Sequence, residues 1–234
     1  MAQGSSGALV VAIDGPSGSG KSTVARGVAA ALDLRYLDTG AMYRAVTWKV
    51  LNDSVPLDDP AAIADIATGV DLHISTDPTP ARVSVGDTDV SKEIRSADVT
   101  AAVSAVSAVG AVRSAMVARQ RALIGTGGIV VEGRDIGTTV APDADVKVFL
   151  TADEQVRAER RGAEIAGGQV DPEVLAATSA ALRRRDAADA GRAASPLNQA
   201  PDATVIDATS LSADAVIARV VEMAKAVTAR GQAS

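Results

Sequence analysis

An α/β protein built on a parallel sheet covered on both faces is the fold this sequence predicts, and three observations predict it. Short apolar runs rich in Val and Ile recur between stretches of helical spacing, the pattern of strands buried on both sides. A glycine-rich loop separates the first such run from the first helical stretch. The section 70–90 breaks this rhythm: "VDLHIST" and "ARVSVGDTDV" alternate apolar and polar residues, which predicts a small antiparallel insertion.

The elements follow in order. Residues 1–8, MAQGSSGA, are expected to form a disordered leader. "LVVAIDG", 9–15, reads as a buried β-branched strand ended by glycine. From Lys21 to Leu32 the pattern is helical, with Val24, Val28 and Leu32 four apart. A second strand ends at Asp38 in "YLDTGAMYR", and similar strands recur at 127–135, 145–152 and 203–209. Helical stretches occupy 97–124, interrupted near Gly110, and then 151–165, 171–190 and 212–229.

Composition narrows the classes. A chain of 234 residues is long enough for one well-buried core or one domain with insertions. Hydrophobic residues at 47% and charged ones at 22% fit an ordinary globular protein, and aromatics at 2% leave the core to Ala, Val, Leu and Ile. The chain has no cysteine, hence no disulfide framework or thiolate metal site, and this fits a reducing cytosol. A net charge of −6 argues against a general nucleic-acid binder. The early apolar run Ala8–Ile13 is broken by Asp14 and has no cation before it, so it is neither signal peptide nor membrane span. A cytoplasmic protein without nucleic-acid or membrane partners is expected.

The residues Gly15-Pro16-Ser17-Gly18-Ser19-Gly20-Lys21-Ser22, followed by Thr23, fit G-x-x-x-x-G-K-[ST] between a strand and a helix. Glycines let backbone N–H groups curl around phosphate oxygens, and the helix N-terminus adds its positive end. Lys21 is expected to reach the β/γ-phosphates, and the Ser22 hydroxyl to hold Mg²⁺. The loop therefore predicts a nucleoside triphosphate site.

The remaining cations decide among the uses of such a site. No N-K-x-D guanine-reading element is present, and the nearest lookalike, Ser91-Lys92-Glu93, falls in the insertion. An ATP-driven motor would end a strand in an Asp-Glu pair; here the strand ends Glu132-Gly133-Arg134-Asp135, which puts an arginine in the crevice where parallel sheets bind ligands. Asp38, Thr39, Tyr43 and Arg44 stand at the mouth of that crevice, and Arg185, Asp189 and Arg192 share one helix face. Together they predict a second anion facing the first. On charge pattern alone a salt-bridged surface helix would also account for 185–192, and Arg183 and Arg184 are read as only that.

"GPSGSGKST", "YLDTGAMYR", "DVSKEIR", "RQRAL", "VEGRDIGT", "VKVFL" and "RDAADAGRAASPL" together resemble the bacterial cytidylate kinases, P-loop nucleoside monophosphate kinases, from about Val10 to about Ala226. "DTGAMYR" and "EGRDIGT" are more diagnostic than the P-loop alone. The resemblance implies transfer of the ATP γ-phosphate to CMP or dCMP, in pyrimidine nucleotide metabolism. It implies a P-loop core of five parallel strands, with 9–60, 97–150 and 195–230 as core of one domain spanning 9–230. A monophosphate-binding insertion of about 64–96, a helical lid of about 151–170 and a monomer are implied with it. Two departures, Thr39 for a common serine and Glu132 for a common aspartate, keep the functional group.

An ionised phosphate acceptor needs no base, so catalysis is expected from positioning and charge, by Lys21, Mg²⁺ and arginines. His73 and Trp48 are accordingly read as structural. Arg157, Arg160 and Arg161 share a helix face after "VFLTA"; Arg157 and Arg161 are expected to reach the phosphoryl group when a lid shuts. Arg44, Arg134 and Arg192 are expected to converge on the acceptor phosphate, each following a turn or helix end. The resemblance places Ser104, Arg113 and Asp135 at the cytosine. Two alternatives stay open: a P-loop switch or binding protein that hydrolyses ATP slowly, and another small kinase acting on UMP, shikimate or dephospho-coenzyme A.

Overall fold

A computed structural model describes residues 8–78, 82–167, 171–192 and 194–232. All of the expected leader except Ala8, and residues 168–170 of the expected lid, lie outside these. In chain order the elements are β1 (Val10–Asp14), α1 (Lys21–Leu32), β2 (Arg35–Asp38), α2 (Thr39–Asn52), α3 (Pro60–Gly69), β3 (Leu72–Ile74), β4 (Val83–Val85), β5 (Thr88–Asp89), α4 (Ala97–Ala108), α5 (Gly110–Ile124), β6 (Ile129–Gly133), β7 (Val146–Thr151), α6 (Glu154–Ala166), α7 (Pro172–Ala190), β8 (Thr204–Asp207) and α8 (Ala213–Gln232).

The main sheet runs β2-β6-β1-β7-β8, and every pairing in it is parallel. Alternate residues of β1 serve its two faces. Val11 and Ile13 pack with Val24 and Val28 of α1 and Val216 and Val220 of α8. Ala12 faces the other way, into a cluster that holds Met42, Val46 and Met116. With so few aromatics, both layers are filled by branched aliphatics that suit a pleated surface.

The chain leaves β1 for the edge strand β2 and returns later to insert β6 between them. That reversal opens a crevice at the carboxyl ends of β1 and β6, where open α/β sheets bind ligands. Gly15 begins the loop there because nothing larger fits: a Cβ would stand 2.0 Å from the Leu150 carbonyl oxygen.

Of the section 70–90, residues 79–81 lie outside the described residues, and the described ones include the expected antiparallel sheet, β3-β4-β5. Val83 and Val85 of β4 join the core cluster that contains α2, so the insertion is anchored on that helix. The helical stretch 97–124 breaks where expected: α4 and α5 meet at a bend of 95°, with Val109 extended between them.

Helix α3 is an element the sequence reading passed over, and it straddles the expected start of the insertion. Its signal was present, since Asp59 accepts the N–H groups of Ala61 and Ala62 and Pro60 opens the helix. Trp48 packs, partly buried, against the core, and His73 is exposed beside Asp71 at 2.9 Å. Among the described residues no single helix is long and apolar enough to cross a membrane.

Candidate active site

One cleft of about 860 Å³ opens at the carboxyl ends of the central strands. Its floor is the loop between β1 and α1. Gly20 takes a left-handed conformation, φ 92°, just before the first turn of α1, which presents the backbone N–H groups of that turn to the cleft. Lys21 is buried and its Nζ donates to the Pro16 carbonyl at 2.7 Å. Burial, and then the neighbouring Arg134, pull its basicity well below the usual lysine range.

Beside the loop, β6 ends in a buried carboxyl group. Ser22 Oγ donates to Glu132 Oε2 at 3.0 Å, and the Tyr36 hydroxyl donates to Oε1. Burial, and then Asp38, raise the Glu132 carboxyl above its ordinary range. Arg26 lies over the Tyr36 ring, 5.4 Å from its centre. Serine and carboxylate oxygens beside a phosphate loop are the hard donors that suit Mg²⁺; Ser22 and Glu132 therefore fit that ion.

Behind this wall, Asp14 accepts the N–H groups of Ile136 and Gly137 at 2.9 and 2.8 Å. Burial pushes its carboxyl up to about 6, above the usual 3.8. These bonds fix the turn after β6, from which Arg134 and Asp135 project. Arg134 spreads its fork over three acceptors: Nε to Asp189 Oδ2 at 3.0 Å, Nη2 to Ser17 Oγ at 2.7 Å and Nη1 to the Gly133 carbonyl at 3.3 Å.

Asp135 pairs with Arg113 at 2.6 Å, and both side chains are almost wholly buried. The Arg113 guanidinium also lies 5.2 Å from the centre of the Tyr43 ring. Arg113 Nε and the Tyr43 hydroxyl are buried with no hydrogen-bond partner among the described residues; burial pushes the Tyr43 phenol up to about 12. Buried polar atoms are rarely left so, and these two lie where a ligand in the cleft could pair with them.

The cleft is also cationic. Arg44, Arg161, Arg185 and Arg192 line the cleft with Arg134. Arg185 is lowered well below the ordinary guanidinium range by burial and then by Arg134, Arg44, Arg161 and Arg192, and its Nε has no partner among the described residues. Arg44 and Arg192 are each lowered to about 10, by burial first. Cations that depress one another in this way share a space that an anion would relieve.

The structure thus brings Ser17, Gly18, Ser19, Gly20, Lys21, Ser22 and Thr23 together in one cleft with Asp38, Thr39, Tyr43, Arg44, Arg113, Gly133, Arg134, Asp135, Arg161, Arg185, Asp189 and Arg192. Several sit differently from expectation. Arg44 follows no turn or helix end: it lies within α2, held by the Ile94 carbonyl and Thr100 Oγ1 at 3.0 and 2.9 Å. Asp38 caps that helix through the Ala41 N–H at 2.9 Å. Asp189 is buried between Arg134 and Arg192 and pairs with both, so it orders arginines. Ser107, one turn beyond Ser104, is the serine that lines the cleft; Ser104 lends its carbonyl to the Ser107 hydroxyl at 3.3 Å.

Arg157 lines no part of the cleft, because its guanidinium is spent on Ser17, Asp186 and Ala152. Arg160 lines it instead, bonded to the Ala208 carbonyl at 2.7 Å. Arg183, read as a surface cation, pairs with Glu154 at 2.6 Å on an exposed face. Sequence reasoning did not single out Tyr36 or Asp14, and named Glu132 only as keeping the functional group of the family's common aspartate. An acid at a strand's carboxyl end next to the glycine loop was the available signal for the last two.

The family profile described as cytidylate kinase matches residues 11–226. A cytidylate kinase of Rhodococcus jostii is 53% identical over 226 residues, 96% of this chain and 98% of that protein. A cytidylate kinase of Streptomyces griseus is 51% identical over 217 residues, 92% of each chain. Among solved structures, an uncharacterized protein from Eubacterium ventriosum superposes with a TM-score of 0.50 at 15% identity, covering 93% of this chain and 98% of that one, a likeness of fold alone.

Proposed function

Because the chain belongs to the cytidylate kinase family, we propose that the cleft transfers the γ-phosphate of ATP to CMP or dCMP, giving ADP and the cytidine diphosphate. The observation that carries this reading is that Arg44, Arg134, Arg185 and Arg192 line the same cleft as the phosphate loop and Lys21. A site that only hydrolysed a nucleotide would need no second set of cations. Planar guanidinium forks match phosphate oxygens in pairs.

In this reading the loop 15–23 cradles the triphosphate, and Lys21 exchanges the Pro16 carbonyl for phosphate oxygens. Ser22 and Glu132 would hold Mg²⁺, which supplies charge neutralisation at the transferring group. Arg44, Arg134, Arg185 and Arg192 hold the acceptor phosphate in line. Its oxygens are already ionised near neutral pH, so no side chain removes a proton. Arg161, with Arg160, contributes from α6, the first helix of a lid comprising about 151–170, and limits water at the transferring group.

Asp135, held by Arg113 and with Ser107 lining the same cleft, faces the cytosine amino group, and Arg113 donates to its ring acceptors. Asp38, Thr39, Tyr43 and Asp189 complete the acceptor site. The acidic, cysteine-free composition supports a cytoplasmic enzyme of pyrimidine metabolism without nucleic-acid partners. We place it there as a monomer, independent of membranes, with 9–230 as one domain. A kinetic panel of CMP, dCMP, UMP and AMP with ATP tests the assignment. The two cytidine nucleotides should lead by at least tenfold in kcat/KM; a lead by UMP or AMP would overturn it.

A further inference from the structure

Ser17, third residue of the phosphate loop, is gripped from three directions. Its N–H donates to Asp186 Oδ1 at 3.1 Å. Its carbonyl accepts from Arg157 Nη1 at 3.0 Å, and that nitrogen also meets Asp186 Oδ2 at 2.5 Å. Its hydroxyl accepts from Arg134 at 2.7 Å. One buried serine therefore ties together the first helix of the α6–α7 hairpin, the C-terminal part of the second, and the arginine that faces the acceptor.

The contact extends to the backbone. A Cβ on Gly18 would stand 2.8 Å from the Arg157 carbonyl oxygen, so α6 is seated directly on the loop. Arg157 lies in the first turn of α6 and Asp186 just before the last turn of α7, which places both near the root of the hairpin. Three of the cations that line the cleft sit immediately beyond them: Arg160 and Arg161 one turn further along α6, and Arg185 next to Asp186.

We propose that Ser17 is the pivot of the hairpin, with Asp186 and Arg157 as positioning residues that fix where Arg161 and Arg185 meet the phosphates. In this assignment Arg157 does not touch the transferring group. Its three hydrogen bonds, to Ser17, Asp186 and the Ala152 carbonyl, make it the pin on which the hairpin turns. A small displacement at the root moves cations a helical turn away, and misplacement by about 1 Å costs roughly 10²-fold in rate. The inference rests on the kinase reading of the same cleft, and wild-type CMP-dependent turnover must be seen first.

A double-mutant cycle of Arg157→Ala and Asp186→Ala, read in kcat and KM, separates this role from a direct one. Melting temperatures of each variant track the fold. Asp186→Asn is the second variant, since it keeps an acceptor for the Ser17 N–H while losing the charge that holds Arg157. The pivot predicts that each alanine variant loses about 10- to 100-fold in kcat, with KM for CMP within about threefold. Removing both should cost no more than the worse single, because the two act as one unit. Asp186→Asn should fall between wild type and Asp186→Ala.

Arg157 acting on the phosphoryl group itself would give a different pattern: a loss of about 10³ for Arg157→Ala, near-normal kcat for both Asp186 variants, and additive costs. That result overturns the proposal. So does a pair that lowers melting temperature while leaving kcat of the folded enzyme unchanged. Absence of CMP-dependent turnover in the wild type would instead overturn the kinase reading.

Discussion

Replacing Asp135 with alanine should change both what the enzyme selects and how stable it is. Asp135 and Arg113 form an ion pair at 2.6 Å with side chains only 6% and 4% exposed. Truncating one partner of such a pair leaves the other charge buried and uncompensated, at a cost of about 3–5 kcal/mol. The Tyr43 ring over Arg113 offsets part of this, so we expect a loss near ~3 kcal/mol at the low end of that range. For a chain of this size that corresponds to a fall of about 6–12 °C in melting temperature. Selectivity should fall with it. In the wild type, uracil would set its O4 acceptor against the Asp135 carboxylate, at a cost of about 1–3 kcal/mol, or roughly five- to 150-fold in relative kcat/KM. Asp135→Ala should narrow the CMP-to-UMP ratio by about that factor, measured with both acceptors at saturating ATP. Asp135→Asn, which removes the charge with little change in shape, checks that the effect is not merely loss of fold. If CMP and UMP suffer equally in both variants, Asp135 does not read the base.

Three further predictions follow from buried charge. Lys21→Met should abolish phosphoryl transfer and yet leave the ligand-free protein as stable or more so, by thermal unfolding, because burial penalises the ammonium at neutral pH; marked destabilisation would contradict this. Arg134→Lys should lower kcat/KM for CMP at least tenfold, since an ammonium cannot span Ser17, Asp189 and Gly133 as the fork does; wild-type efficiency would show that a point charge suffices. Asp14, raised from 3.8 to about 6, holds in the folded state a proton that the unfolded chain releases across that window. Its contribution to stability is therefore present below about pH 4 and is lost as pH rises to 6, by about 3 kcal/mol at 1.36 per unit. Urea unfolding of Asp14→Asn between pH 4 and 6 should lack this share of the slope, and an unchanged slope would refute the account.

Much of this site could be read before the fold was seen, where chemistry demands particular residues at fixed spacing. The loop 15–22 is such a case, because phosphate oxygens need glycine backbone, a lysine and a hydroxyl in one order. What escaped was set by burial and by which end of an element meets which. Residues 157, 160 and 161 share a helical face, but spacing cannot tell that the first of them sits at the root against Ser17 while the others face the cleft. Arg44 is expected from sequence to follow a turn or helix end; Asp38 instead caps α2 directly, and Arg44 falls inside the helix. Ser104 and Ser107 lie three residues apart on α4, about 60° apart around the helix, and spacing alone does not report which of them reaches the cleft. Asp14 and Glu132 read as strand-end acids, and nothing local to either reports that folding removes them from water.

The central claim is that the cationic cleft holds an acceptor other than water, and ADP release from ATP with and without CMP tests it most directly. We predict that ADP formation is slow with ATP and Mg²⁺ alone, rises by at least 10²-fold on adding CMP or dCMP, and yields one cytidine diphosphate for each ADP. Equal ADP release in the absence of CMP, with no cytidine diphosphate formed when it is present, would contradict it.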